Sequence, residues 1–149
     1  LIVLGSDVLV LHHLSFRSDS RWSDNEEALK RLRGSMKGIT IYGLLDLVGA
    51  VSRHAGEKSG RDLYIGYLRS EEHRILFPTH PESWEEHVES VMRYLARGLS
   101  YRDALEAQVL DTNPEAQLYL TWRTGLSNML PVKTYTPKEL LQQNPLHTM

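Results

Sequence analysis

The sequence predicts an α/β fold, a three-layer α/β/α sandwich around a central, mostly parallel sheet. Two observations carry this. The chain opens on a continuous apolar run, Leu1-Ile2-Val3-Leu4, the pattern of a strand buried on both faces. Short β-prone runs then alternate with longer stretches of helical periodicity, in the order β-α-α-β-α-α-β-α-α-β-β-α. The connections between parallel strands are expected to be right-handed crossovers.

Each element has a local cause. Gly5-Ser6-Asp7 breaks the first run, and Val8-Leu9-Val10-Leu11 opens a helix for which Asp7 is a candidate N-cap. The adjacent His12 and His13 point about 100° apart on a helix, a poor arrangement for sharing a metal, and are read as surface or groove residues. Ser15 to Asp24 reads as a loop. Ser23-x-x-Glu26 forms a capping box for a helix with Ala28, Leu29 and Leu32 on its apolar stripe, ending at Gly34. Ile39-Thr40-Ile41 is a strand, and Gly43 to Val51 an apolar helix interrupted by Asp46. Arg53 to Arg61 reads as a basic loop, Asp62 to Glu72 as a helix, and Arg74 to Phe77 as a strand ended by Pro78. Ser83 caps a helix whose stripe is Trp84, Val88, Val91, Met92, Tyr94 and Leu95.

The second half is organised around Gly98 to Leu141. Gly98 can take the left-handed conformation that ends a helix. Ser100 can cap the next one, with Asp103 as the acidic member of a capping box. Asp111-Thr112-Asn113-Pro114 stops that helix, and Leu118 to Trp122 is a compact β-prone run. A short strand follows. Thr136-Pro137-Lys138-Glu139 starts the last helix, with Thr as N-cap, Pro at N1 and Glu at N3. Gln142 to Met149 is expected to fray.

Composition bounds the function. At 149 residues the chain is read as a single domain, 1–149, long enough for a real core. A net charge of −2 gives no general basic field, so any polyanion site has to be a local patch. The lack of cysteine excludes disulfides, thiolate zinc sites and a cysteine nucleophile. No apolar run approaches the ~20 residues that span a bilayer. Leu1 to Leu4 is too short for a signal-peptide core and has no charged leader. The expectation is a soluble, cytoplasmic protein.

Three carboxylates stand out: Asp7 after the first strand, Asp46 inside an apolar helix, and Asp103 one turn into another. In an α/β sandwich the first turns of such helices converge near the strand ends, so distant acids can meet in one cleft. Clustered carboxylates repel, and a hard divalent cation relieves that repulsion. The alternative is three separate caps or tolerated surface acids, and spacing does not decide between them.

Several stretches resemble the PIN-domain family. They are Leu99 to Leu105, Tyr119 to Trp122 and Leu130 to Leu141, with Leu4 to Val10 and Ile39 to Leu47 at the family's first and second acidic motifs. The resemblance implies a metal-dependent endoribonuclease that hydrolyses RNA phosphodiesters with Mg2+ or Mn2+. Asp46 and Asp103 would ligate the metal, Asp7 would be a third ligand or an orienting group, and Thr121 would supply a hydroxyl nearby. It also implies a toxin–antitoxin context, with an antitoxin protein as partner, and a homodimer, for which Asp62 to Leu68 is a candidate surface.

The sequence departs from the family twice. Gly5 stands where an Asp is usual, and Arg123 where an Asn or Asp follows the Thr-Trp pair. Arg123 can neutralise the remaining acids through a bidentate pair, or contact an RNA phosphate. The alternative reading is therefore a catalytically degenerate PIN-like module that binds RNA or protein. Arg17, Arg21, Arg53, His54, Lys58, Arg61 and Arg123 are candidate rim cations, most of them equally readable as solvated loop surface. Trp84 and Trp122 are read as core or rim packing.

Overall fold

A computed structural model describes residues 1–79 and 83–143. The elements, in chain order, are β1 (Ile2–Leu4), α1 (Ser6–His13), α2 (Trp22–Arg31), β2 (Lys37–Thr40), α3 (Ile41–Ala55) and α4 (Glu57–Arg69). They continue with β3 (His73–Leu76), α5 (Trp84–Ala96), α6 (Tyr101–Asp111), β4 (Leu118–Leu120), β5 (Lys133–Tyr135) and α7 (Pro137–Gln142). The sheet order is β3-β2-β1-β4-β5, and every neighbouring pair is parallel.

Alternation along the strands builds two cores. Val3 and Tyr119 face one side of the sheet, where they pack with Val91, Tyr94, Ala104, Ala107 and Leu110 of α5 and α6. Leu4 and Leu120, one residue on, face the other side, against Val8, Leu9, Ala28, Leu44, Leu47 and Leu140. Successive strand side chains point to opposite faces, so β1 and β4 must be apolar throughout. This is the predicted three-layer sandwich, with the sheet wholly parallel. The β4–β5 crossover, residues 121–132, has no helix; Leu126, Met129 and Leu130 pack it onto the first core.

Several caps stand where the sequence places them. Ser83, Ser100 and Thr136 each accept the backbone N–H three residues on. Glu139 returns the bond to the Thr136 N–H, completing a capping box. Gly98 has φ of 95°, the left-handed conformation expected after α5.

Other local expectations are corrected. Gly5, not Asp7, is the N-cap of α1, which leaves Asp7 inside the first turn with its carboxylate free to reach β4. Helix α2 begins at Trp22, ahead of Ser23, so the Ser23 capping box does not form; Arg21 holds the cap position. Thr40 ends β2 and caps α3 by accepting from the Gly43 N–H. The stretch 53–61 is not a loop: it is the end of α3 and the start of α4, broken only at Gly56. Asp62 to Glu72 is helical only to Arg69.

The stripe of α5 is also rotated from expectation. His87, Ser90, Val91 and Tyr94 are its buried positions, while Trp84 is 76% exposed and Met92 58%. Trp84 is therefore surface, not core or rim packing. Gln142 belongs to α7, and residues 144–149 of the expected frayed tail lie outside the described residues.

Candidate acidic cleft at the strand ends

The acidic residues gather where β1, β2 and β4 end and α1, α3 and α6 begin, the crevice in which open α/β sheets bind ligands. Asp7 is held by two donors from the exit of β4. Thr121 Oγ1 donates to Asp7 Oδ2 at 2.9 Å, and the Trp122 backbone N–H donates to the same oxygen at 2.7 Å. Trp122 is fixed in turn by its indole Nε1, which donates to buried Asn25 at 2.8 Å.

Asp46 lies one turn into α3 and is half-buried. Its Oδ2 accepts from Ser6 Oγ at 2.7 Å and from the Arg102 guanidinium at 3.0 Å. These two donors explain how an acid is tolerated between Leu45 and Leu47. Leu45 itself is 51% exposed, so the helix is less enclosed there than its composition implied.

Asp103 is buried and forms an ion pair with the guanidinium of Arg123. Its carboxylate thus does not serve as the capping-box acid; Ser100 caps α6 with its own hydroxyl. One turn further along α6 stands Glu106, an acid that sequence reading passed over. It is only 2% exposed. Thr40 Oγ1 donates to Glu106 Oε2 at 2.8 Å while accepting from the Gly43 N–H, which couples the α3 cap to α6.

Burial pushes the Glu106 carboxyl up to about 7, against the Thr40 hydrogen bond and the charges of Arg123 and Arg102. Burial also raises Tyr119, aided by the charges of Glu106 and Asp7. Burial disfavours the Arg123 cation, but Tyr119, Asp103 and Asp7 more than offset this and hold its pKa above the ordinary value. Arg123 is therefore the electrostatic hub of the cleft.

Two glycines make room for the network. A Cβ on Gly43 would stand 2.7 Å from Glu106 Oε1. A Cβ on Gly5 would stand 2.6 Å from Asp7 Oδ1 and 2.8 Å from the Leu120 carbonyl oxygen, a backbone atom with little freedom to move. Position 5 has no space for the carboxylate expected there by resemblance. The only sequence signals for Glu106 and Gly43 were negative ones: a charged residue on the inner face of a packed helix, and a residue without a side chain opposite it.

A cleft of about 300 Å³ opens beside these residues, lined by Asp7, Asp46, Arg21, Arg53 and Arg102 among others. Of the candidate rim cations, Arg21 and Arg53 thus share a cleft with the acids. Lys58 and Arg61 pair instead with Asp62 and Glu57 along α4, and Arg17 lies over the Trp22 ring.

A divalent cation needs several oxygen donors around one point at ~2.1 Å. Among the described residues, no three His, Cys, Asp or Glu side chains are placed to hold one. Asp7, Asp46 and Asp103 each have an oxygen already engaged by protein donors or a cation. The residues as arranged do not fit a metal ion.

No family model matches the sequence, and no curated protein matches it. Solved structures do match. VapC20 of Mycobacterium tuberculosis, a toxin that cleaves the sarcin–ricin loop, is 15% identical with a TM-score of 0.64. The match covers 86% of this chain and 94% of that one. VapBC2 from Rickettsia felis, bound to a DNA fragment from its promoter, is 15% identical with a TM-score of 0.58, over 91% and 97% of the two chains. The likeness lies in the backbone path far more than in the side chains, and it shows the fold alone: a PIN-like α/β/α sandwich.

Proposed function

We propose that this chain is a PIN-fold domain that grips an RNA phosphodiester backbone in the cleft at the strand ends without using a divalent ion to cut it. The observation that carries this reading is the Arg123–Asp103 ion pair, which puts a guanidinium among the acids. Arg21, Arg53 and Arg102 line the adjoining cleft; Arg21 pairs with Asp19 and Arg102 with Asp46, while Arg53 is in no ion pair among the described residues. Guanidinium groups match phosphate oxygens in forked geometry. Such contacts position a nucleic acid without reading its sequence.

Fluorescence anisotropy with a labelled single-stranded RNA tests this. Binding at low salt is expected, and on a single strand the salt slope should become shallower by about 0.7 for each phosphate that a variant no longer neutralises. Arg53→Ala is expected to give up about one such phosphate. Absence of binding at low salt would refute the proposal.

A second reading is a Mg2+- or Mn2+-dependent endoribonuclease, working as a toxin held by an antitoxin protein. Two observations favour it: Asp7 and Asp46 line one cleft, and the fold is that of a toxin that cleaves the sarcin–ricin loop. It requires Arg123 to leave Asp103 before any ion enters. RNA cleavage that depends on Mn2+ and is abolished by Asp103→Asn would establish this reading over the first. Ile65 and Leu68, exposed on α4, are the residues through which a homodimer would form.

A further inference from the structure

We infer that Arg123 is the resident cation of this cleft: its guanidinium supplies the positive charge that Asp103, Asp7 and Glu106 require, and so closes the site to divalent ions. The inference deepens the metal-free reading above and rests on it.

The need for a cation is set by burial. The Asp103 side chain is 9% exposed, and a carboxylate so enclosed is costly unless paired. Glu106, one helical turn away, is more enclosed, and its Oε1 has no hydrogen-bond partner among the described residues. Asp103 and Glu106 share one face of α6, and Asp7 also acts electrostatically on Arg123. Arg123 is the cation paired with Asp103, and Asp7 and Glu106 lie within electrostatic range of it.

Its placement is built rather than incidental. Asp7 accepts from both Thr121 and the Trp122 N–H, which fixes the chain as it leaves β4. Thr121 Oγ1 then accepts the Arg123 N–H at 3.2 Å. The carboxylate that would be a metal ligand instead anchors the turn that launches the guanidinium. Gly5 completes the exclusion, because no side chain fits there to add a further oxygen beside Asp7.

The test compares wild type, Arg123→Lys and Arg123→Asn by Mn2+ calorimetry, and by thermal unfolding in EDTA and in millimolar Mn2+. Wild type and Arg123→Lys, which keep the cation, are expected to show neither heat of binding nor a shift in Tm. Arg123→Asn is expected to melt lower in EDTA and to recover part of the loss with Mn2+. Its Mn2+ affinity should exceed that of wild type by roughly tenfold or more. That recovery should vanish when Asp103→Asn is added.

Mn2+ binding by wild type that is lost in Asp103→Asn would overturn the inference, and needs no Arg123 variant to fold. An Arg123→Asn protein that is as stable as wild type and indifferent to Mn2+ would overturn it too. RNA binding is read separately by anisotropy, so a failed RNA experiment leaves the Mn2+ result standing.

Discussion

The two ends of the sheet handle buried polar groups in different ways. At the carboxyl end, the buried acid Asp103 is held by a guanidinium, that of Arg123. At the other end, β2 and β3 start at Lys37 and His73 and α1 finishes at His12 and His13, around a cavity of about 390 Å³. There the device is neutrality. The His13 ring meets the Tyr67 hydroxyl at 2.6 Å, and burial, helped by the charges of His12 and His73, lowers its pKa to about 4. His73 is lowered by burial as well, and its Nδ1 meets Ser70 Oγ at 2.7 Å. The exception is Lys37, a buried cation whose ammonium donates to the Leu32 carbonyl at 3.1 Å and pairs with Glu72, itself half exposed; His12 meets Glu26 nearer the surface. Neutral rings are cheap to bury, whereas paired charges are tolerated only while both partners stay.

The largest effect should follow from breaking the paired end. Arg123→Met leaves Asp103 buried and alone, and is expected to destabilise the domain by roughly 3 kcal/mol in chemical denaturation. Adding Asp103→Asn should restore most of it. A single mutant as stable as wild type would remove the distinction between the two ends.

Next come the opposite pH dependences. Glu106 has a raised folded pKa, so its contribution is present below about 4.5 and is lost as pH rises through about 7. His13 has a lowered folded pKa, so its contribution is present above about 6.5 and is lost as pH falls through about 4. Glu106→Gln should flatten the first slope and His13→Leu the second, each by on the order of 3 kcal/mol across its window. Equal slopes in mutant and wild type would show that neither group is buried in solution.

A smaller loss is expected at Gly5. Gly5→Ala pushes a Cβ against the Leu120 carbonyl, and about 1–3 kcal/mol of overpacking should appear in urea unfolding. The smallest effect belongs to the half-exposed pair of Asp46 and Arg102, where solvent screens the interaction. Asp46→Asn should change stability by less than about 1 kcal/mol. A larger loss would place Asp46 with the buried acids.

How much of this was legible in the sequence depends on how local each cause is. Caps at Ser83, Ser100 and Thr136, and the turn at Gly98, follow from residues within one helical turn of each other. The parallel sheet follows from apolar runs such as Leu1 to Leu4, which make sense only when both faces are covered. The stripe of α5 did not follow, because Trp84, Val88 and Met92 share a period with the core and only packing decides which face turns inward. Sequence singled out Asp7, Asp46 and Asp103, and named Arg123 as the residue at odds with them. It passed over Glu106, whose burial is set by Thr40 at the end of β2 and Gly43 on α3.

The sequence by itself determined the layers, most of the helix starts and the list of acids, since periodicity, capping and turn chemistry act over a few residues. Tertiary structure alone decided which acid meets which partner. Arg123 stands far from Asp7 along the chain, yet the parallel pairing of β1 and β4 brings the end of one strand beside the exit of the other. Coulomb and hydrogen-bond energies act over a few ångströms, and only the folded sheet sets those distances.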